Sequence, residues 1–137
     1  MSIRPSARLV LLVQSAYLVV TGAWPLIHYR SFEAITGPKR DDWLVKTLSW
    51  VILPLAFAVA SAARLGRVTP EVRMVAVGTS LGLGGSSLWY GRSGRISRIY
   101  LVDAAIEGML VVGLLFARRE RRSGAGLRWG CREHGAD

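Results

Sequence analysis

Asp103 and Glu107 stand four residues apart in YLVDAAIEGMLVVGLLFARR, residues 100–119, a run otherwise apolar enough to cross a membrane. Residues at i and i+4 share one face of a helix. Two carboxyls on one face of an apolar helix suit a short menu of chemistry. They can take up and release a proton, pair with a cation, or serve as general acid and base toward a lipid-like or quinone-like molecule. A charged acid near the bilayer centre costs about 2.5–3.5 kcal/mol on insertion scales, so such residues default to a functional reading. Hydrogen bonding that only holds helices together is the competing reading. Glu107 lies deeper and is the better proton-binding candidate, while Asp103 is better placed to pair with Lys46 or a loop arginine.

Other polar residues gather at matching depth. A helix rises about 1.5 Å per residue, which puts Asp103 about 6 Å and Glu107 about 12 Å below the start of their helix. Lys46 and Trp50 occupy the same half of the second apolar run, and Ser86 and Ser87 that of the third, with Tyr90 at its rim. In the first run Gln14, Tyr17, Thr21, Trp24 and His28 recur every three or four residues. Two polar stripes in an apolar bundle should face each other, because lipid satisfies neither. The ligand- or proton-binding candidates are therefore Asp103, Glu107, Lys46, Thr21, Trp24, His28, Trp50, Ser87 and Tyr100. A lone rim histidine supports no Ser–His–Asp arrangement. Trp43 and Trp89 fit an aromatic belt at the interface.

The elements that would position these residues follow from composition. The chain has 137 residues, of which 51% are hydrophobic and 20% charged, with a net charge of +9. The charges are clumped, and four apolar runs lie between the clumps, at 9–27, 43–63, 72–90 and 99–117. Each is close to the ~20 residues that cross the hydrocarbon core as a helix. A soluble four-helix bundle would show a polar face on every helix, and LVLLVQSAYLVVTGAWPLI carries no charge. The first run is too long for a typical signal-peptide core and is not followed by a polar mature start. It is read as a helix of the mature protein.

In a soluble protein the basic balance would suggest nucleic acid. Beside four apolar runs it reads as topology, since Lys and Arg collect on the cytoplasmic side. Eleven of them fall with the N-terminus, second loop and tail, and seven with the first and third loops. This predicts cytoplasmic termini in an inner membrane, and the prediction rests on the tail arginines. The tail, 119–137, is basic and then Gly-rich. It is expected to be disordered or to lie on the membrane surface, where its arginines would anchor topology or meet anionic headgroups. Its Cys131 and His134 are too few for a structural zinc site. One cysteine excludes an internal disulfide. No cofactor, metal or nucleic acid is implied.

Two connections carry structural signals. In YRSFEAITGPKRDD, SFEAIT can form a short amphipathic turn that Gly37-Pro38 then breaks, and Asp41 or Asp42 can cap the next helix. In RLGRVTPEVR, Thr69, Pro70 and Glu71 give an N-cap, a first-position proline and a first-turn acid. The third run, VGTSLGLGGSSLWYG, has no phosphate-loop lysine. In lipid its small residues instead allow close helix approach, either Gly78 with Gly82 or Ser80 with Gly84. The partner is a neighbouring helix, or a second copy of the chain against a Gly78/Gly82/Gly85 face. On the first of these, Gly82→Leu or Gly85→Leu should overpack a helix contact.

The segments RSFEAITGPKRDDWLVKTLSW and GRISRIYLVDAAIE resemble those of a family of small bacterial four-helix integral membrane proteins. The matching residues are Phe32, Glu33, Thr36, Gly37, Pro38, Lys39, Asp42, Trp43, Arg95, Ser97, Tyr100, Asp103 and Glu107. The resemblance implies a four-helix membrane fold and no particular activity. Some of those relatives carry an acid late in the third helix, where this chain has Ser86 and Ser87.

These readings converge on an all-α, four-transmembrane-helix antiparallel bundle over 1–118. Its polar pocket, in the half nearer the first loop, would take a small lipophilic ligand or a proton. A proton-coupled transporter is an alternative, although small multidrug exporters keep their key acid in the first helix, which here has none. A membrane enzyme and an accessory subunit of a larger complex are others.

Overall fold

A computed structural model describes residues 6–38 and 40–117. The tail from 119 onward, with Cys131, His134 and its arginines, lies outside the described residues, as do Arg4 and Lys39.

The described residues form helices and no strands: α1 Ala7–Ile27, α2 Tyr29–Thr36, α3 Asp42–Arg64, α4 Pro70–Arg92 and α5 Ile99–Phe116. The four long helices follow the four apolar runs. α1, α3 and α5 are each long and apolar enough to cross a membrane. α4 equals α3 in length, but its run of Gly, Ser and Thr makes it less apolar.

The helix ends are written in the sequence. Ser6 caps α1 by accepting from the Leu9 N–H at 3.2 Å, and Thr69 caps α4 by accepting from the Val72 N–H at 3.4 Å. The SFEAIT turn extends into the two turns of α2. His28 is its hinge. The His28 N–H donates to the Trp24 carbonyl at 3.0 Å, closing α1, and its Nδ1 accepts from the Ser31 N–H at 3.3 Å, opening α2. Gly37 ends α2 at φ +86°, in the left-handed region open to glycine. Asp41 precedes α3 without a side-chain capping bond.

Packing divides the chain into two antiparallel pairs. α1 lies mainly on α3 and α4 mainly on α5, while thinner contacts of α1 with α5 and of α3 with α4 join the pairs. α2 folds across one end and touches both α1 and α5. At the opposite end, where Ser6 and Ala117 lie, Val10, Leu11, Val59, Ala63, Ala76, Leu110 and Leu114 form one buried apolar cluster. Leu18, Ile52 and Ala56 form a second, nearer α2.

The glycines of α4 correct one expectation. The buried face is Ala76, Ser80, Gly84, Ser87 and Gly91. A Cβ added at Gly84 would come within 2.8 Å of the Glu107 Cβ, and one at Gly91 within 3.0 Å of the Leu101 side chain. At Gly78, Gly82 and Gly85 it would meet nothing within 4 Å. Ser80 and Gly84 thus face a neighbour, while Gly78, Gly82 and Gly85 point away from the chain's own helices. Gly82→Leu and Gly85→Leu therefore overpack no contact among the described residues.

Candidate functional site

Three of the buried polar side chains satisfy themselves on their own helix backbone. Ser15 donates to the Leu11 carbonyl at 2.6 Å, Ser49 to that of Val45 at 3.0 Å, and Thr36 to that of Phe32 at 2.8 Å. Six others do not, and they converge from three helices.

Asp103 of α5 is the outer member. One carboxylate oxygen accepts from the Tyr17 hydroxyl of α1, and the other accepts from the Ser87 hydroxyl of α4 at 2.7 Å. One acid thereby ties three helices together. Glu107 lies one turn deeper, about 12 Å along α5 from Ile99. Its side chain is 0% exposed, with Gly84 pressed against it. Ser80 is its polar neighbour across the α4–α5 interface, yet neither carboxyl oxygen completes a hydrogen bond among the described residues.

Gln14 of α1 stands on the inner side of the cluster and is also 0% exposed. Its amide nitrogen donates to the Ala76 carbonyl at 2.7 Å and to the Ser80 hydroxyl at 2.9 Å. Both amide hydrogens are spent on α4, which fixes the amide's orientation. Its Oε1 is left buried and without a partner. Gln14 Oε1 and the two Glu107 oxygens are buried acceptors with no well-formed hydrogen bond among the described residues, the Ser80 hydroxyl being the donor nearest to Glu107. A buried polar group left unpaired costs about 1–3 kcal/mol, more for a charged one. Among the described residues no lysine or arginine bonds to the cluster, and its buried acceptors outnumber its donors, so its arrangement suits a ligand that brings a proton or a positive charge.

Of the residues picked out from sequence, Asp103, Ser87 and Glu107 meet here. The expected Asp103–Lys46 pair does not form. Lys46 bonds instead to Asp42, four residues earlier on its own helix, at 2.9 Å, and its Nζ lies 5.2 Å from the centre of the Tyr29 ring. A neighbour one turn away along the same exposed face is simply nearer than a group across the bundle. At this rim, desolvation pushes the Tyr29 phenol above its ordinary range, with Glu33 and Asp42 adding to the effect.

Trp50 is 66% exposed on the outer surface and takes no part in the cluster. Thr21 returns its hydroxyl to the Tyr17 and Leu18 carbonyls. Trp24 donates to Ser31 Oγ at 2.8 Å and meets Phe32 edge to face, so it and His28 fix α2 rather than line a pocket. Tyr100 is half-buried beside Thr36, where α2 meets α5. A shallow groove of about 430 Å³ on the outside of α4, lined by Gly85, Leu88, Trp89, Arg92 and Ser93, is remote from the acids.

Gln14, Tyr17, Ser80 and Gly84 belong to the cluster but are absent from the candidates chosen by type and depth. Spacing carries their signal. Gln14 and Tyr17 lie three apart in the α1 stripe, and Ser80, Gly84 and Ser87 follow the four-then-three spacing of one helical face.

No protein-family model, curated protein or solved structure matches the chain.

Proposed function

We propose that the chain is a four-helix integral membrane protein of the bacterial inner membrane, its termini cytoplasmic, that binds a proton at Glu107. Its polarity pattern supports membrane residence. Val13, Val20, Trp50, Phe57, Met74, Leu81, Val102 and Met109 are exposed on the outside, whereas Gln14, Ser80, Ser87 and Glu107 are buried within. Hydrocarbon satisfies the first set, and helix contacts satisfy most of the second. α4 is the fourth span in this reading. It is long enough, its polar face turns inward, and its outer face carries Met74, Val75, Leu81, Leu88 and Trp89. The likeness of the first loop and of the α5 opening to small four-helix membrane proteins supports the same architecture.

The observation that carries the function is the Glu107 side chain itself, wholly buried at mid-helix with both oxygens unpartnered. A proton is the smallest ligand that removes its charge and supplies a missing donor. Asp103, by contrast, already has two donors in place, Tyr17 and Ser87. The pair therefore divides into a proton site and an acid whose hydrogen bonds are already met.

A second reading, an accessory subunit or a homo-oligomer, is favoured by the open space at Gly78, Gly82 and Gly85. Small residues on a lipid-facing stripe let another helix approach.

Infrared difference spectroscopy on the protein in lipid tests the proton site. A protonated-carboxyl band at neutral pH should be present in the parent and in Asp103→Asn, and absent in Glu107→Gln. A parent spectrum without that band overturns the proposal.

A further inference from the structure

The two ends of the bundle around Glu107 differ. Toward α2, Glu107 is followed by Asp103, one turn nearer the rim and only part-buried, and Asp103 is bonded to the Tyr17 hydroxyl of α1. That hydroxyl faces the side of α5 that carries both acids, since Asp103 and Glu107 lie four residues apart on one helical face. Toward the termini, Glu107 is followed by Leu110 and Leu114. With Leu11, Val59, Ala63 and Ala76 these form a buried apolar plug. Beyond the plug stand two guanidiniums. Arg73 donates to the Leu114 carbonyl and Arg8 to the Arg64 carbonyl at 3.2 Å. Each sits at a helix C-terminus, where cations are favoured.

From this asymmetry we infer that protons reach Glu107 only from the α2 side, through Asp103 and Tyr17, and that the terminal side is closed. The inference rests on Glu107 being a proton site. The route balances. Asp103 takes a proton from the α2-side water. The Tyr17 hydroxyl turns from Asp103 to Glu107 and gives up its own proton there. It then receives the proton held by Asp103. Tyr17 is neutral before and after, Asp103 returns to a carboxylate, and Glu107 has gained one proton. Among the described residues, the titratable groups interacting with Glu107 are Tyr17 from α1 and Asp103 from its own helix. α4 presents Ser80 and Gly84 to it. A proton arriving from the other end would have to cross two turns of packed Leu and Ala side chains and pass Arg8 and Arg73.

The test uses the parent protein inserted in one orientation in lipid vesicles. Water is replaced by deuterium oxide on one side at a time while the Glu107 carboxyl band is followed. Exchange should be prompt from the α2 side and lag until the lumen equilibrates when deuterium oxide is offered at the terminal side. Tyr17→Phe and Asp103→Asn should each slow α2-side exchange several-fold. Ser49→Ala removes only a bond to the Val45 carbonyl of its own helix, outside the cluster, and should not slow it. Equal exchange from both sides, or prompt exchange from the terminal side alone, overturns the inference. So does an unchanged rate in folded Tyr17→Phe and Asp103→Asn. The side-selective measurement on the parent decides the matter even if a variant fails to fold. A missing band points instead to failure of the proton site itself.

Discussion

Gly84 lies directly against Glu107, so closely that a Cβ at position 84 would sit 2.8 Å from the Glu107 Cβ. No side chain can swing aside to relieve that contact, because both atoms are fixed to helix backbones. Gly84→Ala should therefore push α4 away from α5 and cost about 1–3 kcal/mol.

Gly82, two residues away, gives the opposite sign. A Cβ at this position would meet nothing within 4 Å, and an open helical glycine replaced by alanine gains about 0.4–1 kcal/mol. Gly82→Ala should raise the unfolding temperature in detergent and Gly84→Ala should lower it. Equal shifts would show that Glu107 is not packed on α4.

The partners of Asp103 can be tested by double-mutant cycles. Asp103→Asn and Lys46→Met should add to within about 0.3–0.5 kcal/mol, since the two residues share no partner. Asp103→Asn and Tyr17→Phe should couple by about 0.5–3 kcal/mol, because they are bonded to each other. Strong coupling to Lys46 would restore the cross-bundle ion pair that the structure replaces with Lys46–Asp42.

Topology is tested by labelling from outside intact cells, with single cysteines at the exposed positions Ala34 and Arg67 in a Cys131→Ser background. Ala34, in α2, should react, and Arg67, in the α3–α4 connection, should not. The reverse pattern would place the termini outside.

Much of this was legible in the chain. The four apolar runs, the Thr69-Pro70-Glu71 helix start and the Gly37 stop are local signals, and local sterics and hydrogen bonding decide them. That Asp103 and Glu107 share a face follows from helix period alone. Their partners do not, because they depend on which helices pack. From sequence Asp103 is best placed to pair with Lys46 or a loop arginine, and only the placement of α1 against α5 brings Tyr17 to it instead. The glycines of α4 show the same limit. Gly82 and Gly84 are alike as residue types, and the rotation of one helix determines which of them meets a neighbour. His28 and Trp24 sit at the expected depth, but the turn into α2 uses their polar atoms.

The pairing of α1 with α3 and of α4 with α5 bears on how the protein is made. Gln14–Ala76, Gln14–Ser80 and Tyr17–Asp103 all cross between the pairs. If the four helices span a bilayer as proposed, each hairpin can enter it during synthesis on its own apolar exterior, but the second arrives with Asp103 lacking its Tyr17 donor. Docking the hairpins then supplies in one step the hydrogen bonds that neither half makes alone. In a bilayer, assembly of the two halves would then be driven by these few polar contacts rather than by apolar area, which lipid matches equally well. Fragments 1–66 and 67–137, produced as separate chains in one cell, should find each other, and Tyr17→Phe together with Gln14→Leu should abolish their recovery as a complex.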